Sequence, residues 1–414
     1  MNIEMNTQRV IGINGMGRIG KLLVWHYLHR RSFDRIVINL GRNAGGGLAD
    51  MLDALAHDST YGPVERFLHG VSGERSLKIL DEASGLTEMM GMPVKILRQA
   101  RDPRQIDWRA EGVSVVVDCT GVFTDPTADS AKPSLRGHLD AGARVVIVSA
   151  PFKVKDKSRP LPDEAVMLIQ GINHRSFDPH RHQIVSAASC TTTGLAHLLM
   201  PILDTDETSR VLTASMSTLH AATNTQSVLD SMPKDGATDL RKNRAVFDNI
   251  ILSSTGAAGA LASVLPQIHR IGFMADSVRI PTSTVSLIIL NLTLHSPTDD
   301  KNEPVVNRDF INSLYRRAAE GPQKGLLVYS DRQNVSCDIK GQRAAVIVEG
   351  HENHTRTGVI DVPPAVLATQ GLEVPGGLRI PVTHAKIFGW YDNEYGSYTN
   401  CLGELTEHVH RTVG

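Results

Sequence analysis

Two different patterns of apolar positions divide this chain. In its first part, short continuous apolar runs at Val10–Asn14, Arg35–Leu40, Val94–Leu97, Val113–Cys119 and Val145–Ser149 alternate with helically spaced stretches at Lys21–Leu28 and Thr127–Ala141. Continuous apolar runs suit strands covered on both faces, and strands separated by crossovers predict a doubly wound, mostly parallel α/β sheet. This first domain extends to roughly residue 186. Beyond it, the small-residue segment Ser186–Gly194 leads into a helical pattern at Leu195–Leu203, followed by β-rich runs at Val211–Thr218, Ser277–Ile280, Val285–Leu294 and Lys386–Tyr391. These predict a second domain with an antiparallel or mixed sheet. Gly45–Gly47, Lys153–Asp163, His295–Glu303 and Gly350–Gly377 read as loops.

Composition narrows the class without naming the chemistry. The 414 residues are 41% hydrophobic and 21% charged, with a formal net charge of −1, as in a globular protein with no nucleic-acid partner. No run approaches the ~20 apolar residues that cross a bilayer, so a cytoplasmic enzyme with no membrane partner is expected. The four cysteines, Cys119, Cys190, Cys337 and Cys401, form no C-x-x-C pair, and the histidine pairs lack a third ligand of matching spacing. No disulfide framework and no metal site are expected.

The candidate chemistry starts at Gly15-x-Gly17-x-x-Gly20, placed after a predicted strand and opening a predicted helix. Missing side chains let the backbone approach a dinucleotide pyrophosphate at the helix N-terminus. The second strand normally ends in a carboxylate that binds the adenosine ribose and repels a 2′-phosphate; here it ends Leu40-Gly41-Arg42, leaving both NAD and NADP open. Cys190, in Ser-Cys-Thr-Thr at a loop-to-helix junction, is a candidate nucleophile whose thiolate the backbone N–H groups and helix dipole would favour. His220, thirty positions on, supplies a base. Arg241, Arg244, the segment Ser253–Ala258 and Arg279 offer cations and hydroxyls suited to phosphate.

Eight segments, INGMGRIG, DCTGVFT, Ser149–Pro151, ASCTTTGLAH, HAATNTQ, ILSSTGAAGA, VRIPTSTVS and WYDNEYG, resemble the glyceraldehyde-3-phosphate dehydrogenase family, in the family's order and along almost the whole chain. The resemblance implies a Rossmann dinucleotide-binding domain over 1–188, completed by a C-terminal helix at 395–414, and an α+β catalytic domain over 189–394 with a mixed, largely antiparallel sheet. It implies a homotetramer that oxidises a phosphorylated aldehyde with NAD or NADP and inorganic phosphate. Cys190 then matches the nucleophile and His220 its acid/base partner. Ser189, Thr191, Thr255 and Gly256 match the site of inorganic phosphate; Thr223, Arg244 and Arg279 match residues holding phosphate groups of substrate and product, with Arg241 a neighbour of less defined role. Gly15, Gly17, Arg18, Ile19 and Gly20, with Arg101 and Thr120, match cofactor contacts, and Asn393 matches the residue orienting the carboxamide.

The chain also departs from the family pattern. Gly194 replaces a second cysteine and Thr193 an asparagine. The acidic ribose position is lost, the interval from Cys190 to His220 is about three residues longer, and roughly twenty residues are inserted within Gly350–Pro381. Two rival readings follow: a sister enzyme acting on another phosphorylated aldehyde such as erythrose 4-phosphate, with water resolving the thioester, and a catalytically idle paralogue that uses the insertion as a binding surface.

Overall fold

The computed structural model describes residues 8–98, 100–156, 158–301 and 303–414; the polar start from Met1 to Thr7 lies outside them. The chain divides into two compact units, Met1–Ser189 with Tyr398–Gly414, and Cys190–Ser397.

The first unit is built on a nine-stranded sheet. Its strands are β1 (Val10–Asn14), β2 (Arg35–Asn39), β3 (Leu77–Asp81), β4 (Leu86–Met89), β5 (Met92–Leu97), β6 (Val115–Asp118), β7 (Val145–Val148), β8 (Ala165–Met167) and β9 (Ile184–Ser186). Their spatial order is β8-β9-β7-β6-β1-β2-β5-β4-β3. All neighbours are parallel except at the β3-β4-β5 edge, where the pairing is antiparallel. Every residue of β1, β6 and β7 is buried, which is why these strands read as unbroken apolar runs. Helix α1 (Arg18–Arg30) carries Trp25, whose indole Nε1 donates to the Leu55 carbonyl at 2.8 Å.

The C-terminal helix Cys401–Val413 belongs to this unit and lies against α1, where a Cβ on Gly403 would come within 2.3 Å of the His26 ring. Glu407 fixes that contact. Burial pushes its carboxyl up, but hydrogen bonds from His26, Arg30 and Ser32 reverse the effect and bring it to about 2.

The second unit holds an eight-stranded sheet. Its strands are β10 (Val211–Ala221), β11 (Ile251–Ser254), β12 (Gly272–Ile280), β13 (Ser286–His295), β14 (Leu327–Ser330), β15 (Val346–Glu349), β16 (His354–Val362) and β17 (Leu378–Tyr391). The order is β11-β12-β10-β13-β17-β15-β14, with β16 paired to β17 outside that path. Only β10-β12 and β14-β15 are parallel. Helix α2 (Cys190–Leu203) has an almost wholly buried face, and Gly389 on β17 gives it room: a Cβ there would lie 2.6 Å from the Leu198 side chain. The architecture is thus α/β with a parallel sheet in one unit and a mixed, largely antiparallel sheet in the other.

Two local expectations fail. The helix expected over Thr127–Ala141 shrinks to Arg136–Asp140, because Asp125 and Asp129 accept the backbone N–H groups of Thr127 and Ala131 at 2.9 Å and Pro133 has none to give. The stretch expected as a loop over Gly350–Gly377 contains β16, paired with β17 over nine residue pairs, and a short helix at Pro364–Ala368. Most of β16 is solvent-exposed, so it carries no apolar alternation by which to be read.

Candidate active site

The glycine turn lies at the C-terminal end of β1. Gly15 has a left-handed φ of +96°, open to glycine at little cost, and Gly20 approaches so closely that a Cβ there would meet the Gly15 carbonyl oxygen at 2.1 Å. Gly17 caps α1 in extended geometry with no side-chain cap, and nothing lies within 4 Å of where its Cβ would be. Open space in front of uncapped helix N–H groups is what a pyrophosphate requires. Arg18 and Ile19 begin α1, both half-buried.

Below the turn, a buried polar chain sets the ends of three strands. Asn39 Nδ2 donates to Asn14 Oδ1 and Asn14 Nδ2 donates to Asp118 Oδ2, both at 2.8 Å. Asp118 also accepts the Thr120 N–H at 3.0 Å and the Thr120 hydroxyl at 2.7 Å. His138 Nδ1 accepts from the Trp108 indole at 3.0 Å, so the ring proton is on Nε2, which donates to Asp118 at 3.1 Å. Thr120 is therefore held by a carboxylate with four donors. Exposed Arg101 lies beside Gly41, whose Cβ would meet its Cγ at 3.0 Å.

In the second unit, Cys190 is the first residue of α2, and its Sγ lies 3.8 Å from His220 Nε2 near the end of β10. Asn393, at the end of β17, points Nδ2 at both, 3.2 Å from His220 Nε2 and 3.9 Å from Sγ. Its amide orientation is fixed from behind. Ser286 Oγ accepts the Ala221 N–H at 3.0 Å and donates to Asn393 Oδ1 at 2.8 Å, leaving only the NH₂ group to face the pair. His220 Nε2 thus faces both the Asn393 amide and the thiol, while Nδ1 lies 2.8 Å from the Ala221 carbonyl.

Arg279, on β12 in register with His220, brings its guanidinium against His220 Nδ1 and shares the Ala221 carbonyl at 3.3 Å. Its Nε is buried and has no acceptor, a donor still available to an anion. Burial, and then the Arg279 charge, push the His220 imidazole down to about 4. Burial pushes the Cys190 thiol up, against the pull of Asn393, Thr191 and Arg279. The helix start favours a thiolate as the sequence suggests, but desolvation opposes it.

The remaining candidates are placed as follows. Thr191 is buried and engages the Tyr391 hydroxyl at 2.9 Å, which Thr218 also meets at 2.8 Å. Ser189 is half-buried at the junction before Cys190, following Ala188 at φ +55°. Thr223 bonds Gln226 and Thr225 within its own turn, each at 2.9 Å. Arg241 pairs with Asp239 at 2.8 Å and Arg244 with Asp230 at 3.0 Å, both on an exposed segment. Thr255 accepts the Ala257 N–H at 3.2 Å, and Gly256 caps the helix Ala257–Val264 with open space before it.

Three positioning groups escape the sequence reading: Ser286, Tyr391 and Asp392. Asp392 is fully buried and accepts from Gly341, Glu394, Tyr395 and Thr284, which holds the turn carrying Asn393. Val285, a β-branched residue at φ +68°, precedes Ser286, a strained conformation of the kind that gathers at functional sites. Among the described residues no group of His, Cys, Asp and Glu could hold a metal, and no helix is long and apolar enough to cross a membrane.

Comparison with known proteins adds two kinds of match. Residues 9–126 match the family model "Glyceraldehyde 3-phosphate dehydrogenase, NAD binding domain", and residues 189–361 match the model of that family's C-terminal domain. The chain is 34% identical to a glyceraldehyde-3-phosphate dehydrogenase of Ogataea parapolymorpha over 399 residues, covering 96% of this chain and 97% of that one. It is 33% identical to one of Priestia megaterium over 401 residues (96% and 97%) and 32% identical to a cytosolic one of Chlamydomonas reinhardtii over 403 residues (96% of each).

Proposed function

The chain belongs to the glyceraldehyde-3-phosphate dehydrogenase family and is an NAD-dependent oxidoreductase, and from that premise we propose that it oxidises glyceraldehyde 3-phosphate to 1,3-bisphosphoglycerate through a thioester on Cys190. The observation that carries this reading is the convergence of a thiol, an imidazole and an amide donor within 3.9 Å, beside a cation with an unused buried donor.

Cys190 Sγ bonds to the aldehyde carbon while its proton passes to His220 Nε2, which faces it. The developing alkoxide is stabilised by Asn393 Nδ2 and the N–H groups opening α2. His220 returns that proton to the alkoxide, giving the thiohemiacetal hydroxyl, and takes it back as the carbon gives up its hydride to the nicotinamide and the thioester forms. Attack by inorganic phosphate on the acyl carbon breaks the carbon–sulfur bond, restores Cys190 and releases an acyl phosphate. Arg279, through its free Nε, binds a phosphate group of substrate or product. NAD, when bound, supplies the two-electron acceptor. Gly15, Gly17, Arg18, Ile19 and Gly20 would hold its pyrophosphate, with Thr120 and Arg101 as further contacts.

Leu40 at the end of β2 supports use of NADP as well, because no carboxylate there repels a 2′-phosphate and two exposed cations are near, Arg42 two residues on and Arg101 beside Gly41. We take the assembly to be a homotetramer and inorganic phosphate to be the acyl acceptor.

The deciding experiment is initial-rate reduction of NAD and NADP with glyceraldehyde 3-phosphate, with and without inorganic phosphate, beside Cys190→Ser and Leu40→Asp. Phosphate-dependent reduction lost in Cys190→Ser supports the reading, and Leu40→Asp then lowers the NADP efficiency at least about tenfold while sparing NAD. Acid formation without phosphate would overturn the phosphorylating assignment. Activity unchanged in Cys190→Ser would overturn the mechanism.

A further inference from the structure

One face of the second unit's sheet carries positive charge that none of the chemistry above uses. In the antiparallel pairing of β16 with β17, His354 lies opposite Lys386 and Arg356 opposite His384. Residues two apart on a strand share a face, so these four stand at the corners of a rectangle about 7 Å along the strands and about 5 Å across them. The next strands prolong both rows with neutral donors: Asn291 and Ser215 follow Lys386, and Thr293 and Thr213 follow His384.

Together these side chains line an open cavity of about 650 Å³ with no carboxylate in its wall. Among the described residues neither Arg356 nor Lys386 has an ion-pair partner. His354 Nδ1 is occupied by the Glu352 carbonyl at 2.9 Å and His384 Nδ1 by the Thr293 hydroxyl at 3.0 Å, so each ring keeps Nε2 for another partner.

Arg356 and Lys386 are diagonal neighbours across the pairing of β16 with β17, and the cavity wall offers them no counter-charge. Two of the four, His354 and Arg356, lie in the Gly350–Pro381 stretch, outside the eight family-like motifs. A cavity of this volume suits a small molecule. Arginine, lysine and several hydroxyls aimed at one concavity suit phosphoryl oxygens.

We propose that this corner of the sheet is a second anion site, distinct from the Cys190 centre, that takes a small phosphorylated anion carrying two or more negative charges. Arg356 and Lys386 supply its fixed charge, the two imidazoles their Nε2 positions, and Thr213, Ser215, Asn291 and Thr293 neutral hydrogen bonds at its floor. If this face also meets a second copy of the chain about a two-fold axis, the same cations confront one another, and an intervening anion relieves the repulsion.

The test is calorimetric titration of the full chain with inorganic pyrophosphate in phosphate-free buffer, with NAD at saturation to fill the glycine turn. It is run in an Arg279→Gln background so that the Cys190 centre contributes no cation. One pyrophosphate per chain is expected, and adding Arg356→Gln with Lys386→Gln should weaken it at least about tenfold. In the otherwise unaltered chain, Arg356→Gln/Lys386→Gln should keep its dehydrogenase rate and melt no lower than the parent in phosphate-free buffer, while losing the pyrophosphate-dependent rise in Tm. Should that pair fail to fold, Arg356→Gln alone, on the exposed strand, gives the same comparison. Equal affinity with and without the two cations, or none in either, overturns the proposal. So does a changed sedimentation coefficient with unchanged pyrophosphate binding, which would make the cluster a subunit contact. Binding lost only through Arg279→Gln would place the anion at Cys190 instead.

Discussion

Replacing Gly15, Gly17 and Gly20 one at a time by alanine separates what the turn does for the fold from what it does for the cofactor. At Gly17 the backbone, φ −72° and ψ −169°, is open to any residue, and a Cβ meets nothing within 4 Å. Gly17→Ala therefore leaves the protein as stable as before or up to about 1 kcal/mol more so, because alanine restricts the unfolded chain. Its methyl nonetheless stands in front of α1, where the pyrophosphate would approach, and NAD affinity should fall at least about tenfold, about 1.4 kcal/mol. Gly20→Ala brings a Cβ to 2.1 Å from the Gly15 carbonyl oxygen and 3.1 Å from its carbon, so helix and turn must separate by about 1 Å. Overpacking of that kind costs about 1–3 kcal/mol and displaces the turn, so stability and NAD binding fall together. Gly15→Ala, at φ +96° with Thr120 N 3.0 Å away, costs about 1–2 kcal/mol through backbone strain. Urea unfolding without NAD, paired with NAD titration by calorimetry, reads both quantities. Gly17→Ala binding NAD as tightly as the parent would refute the assignment of this turn to the pyrophosphate, and Gly20→Ala unfolding like the parent would refute the packing argument.

Two further outcomes concern the Cys190 centre. The His220 imidazole is held near 4, below its ordinary 6.5, so as pH falls the unfolded chain takes up this proton first and stability is lost between those values, on the order of 3 kcal/mol in total. Measured as the difference between parent and His220→Gln in urea, the pH-dependent part should shrink by about 2 kcal/mol from pH 7.5 to pH 5; a difference independent of pH would show that the imidazole is not so depressed. Arg279→Gln removes a charge that favours the Cys190 thiolate, and alkylation of Cys190 by iodoacetamide at neutral pH should slow by about tenfold. Faster alkylation would mean that the guanidinium acts chiefly by keeping His220 neutral.

What could be read from sequence depended on whether a feature is contiguous. β1, the glycine turn and α1 were legible because a doubly buried strand is an unbroken apolar run and the turn needs glycine at fixed offsets. Cys190 stood out because a small-residue segment meets a helical pattern there, and His220 because it ends a strand pattern. Ser286 and Tyr391 stand inside VRIPTSTVS and WYDNEYG but received no role there: a buried hydroxyl on a strand looks like any strand residue, and their importance appears only when Ser286 meets Asn393, 107 positions away, and Tyr391 meets Thr191, 200 positions away. Asn393 was legible as part of WYDNEYG, yet nothing contiguous indicated that its amide would be turned by Ser286 toward Cys190 and His220. The basic rectangle was the least legible of all. It exists only through the register of β16 with β17, and a one-residue slip would carry His354 and Arg356 to the opposite face. β16 has no apolar periodicity to fix that register, so the fixing must come from its ends. Asn353, just before the strand, is buried, accepts the Phe388 N–H at 3.0 Å and donates to Asn312 at 3.0 Å. Asn353→Ala should therefore loosen the pairing of β16 and weaken pyrophosphate binding without touching any of the four side chains, as hydrogen exchange at β16 and the same titration would read together; retained binding with β16 amides exposed would show that Arg356 and Lys386 act without the register.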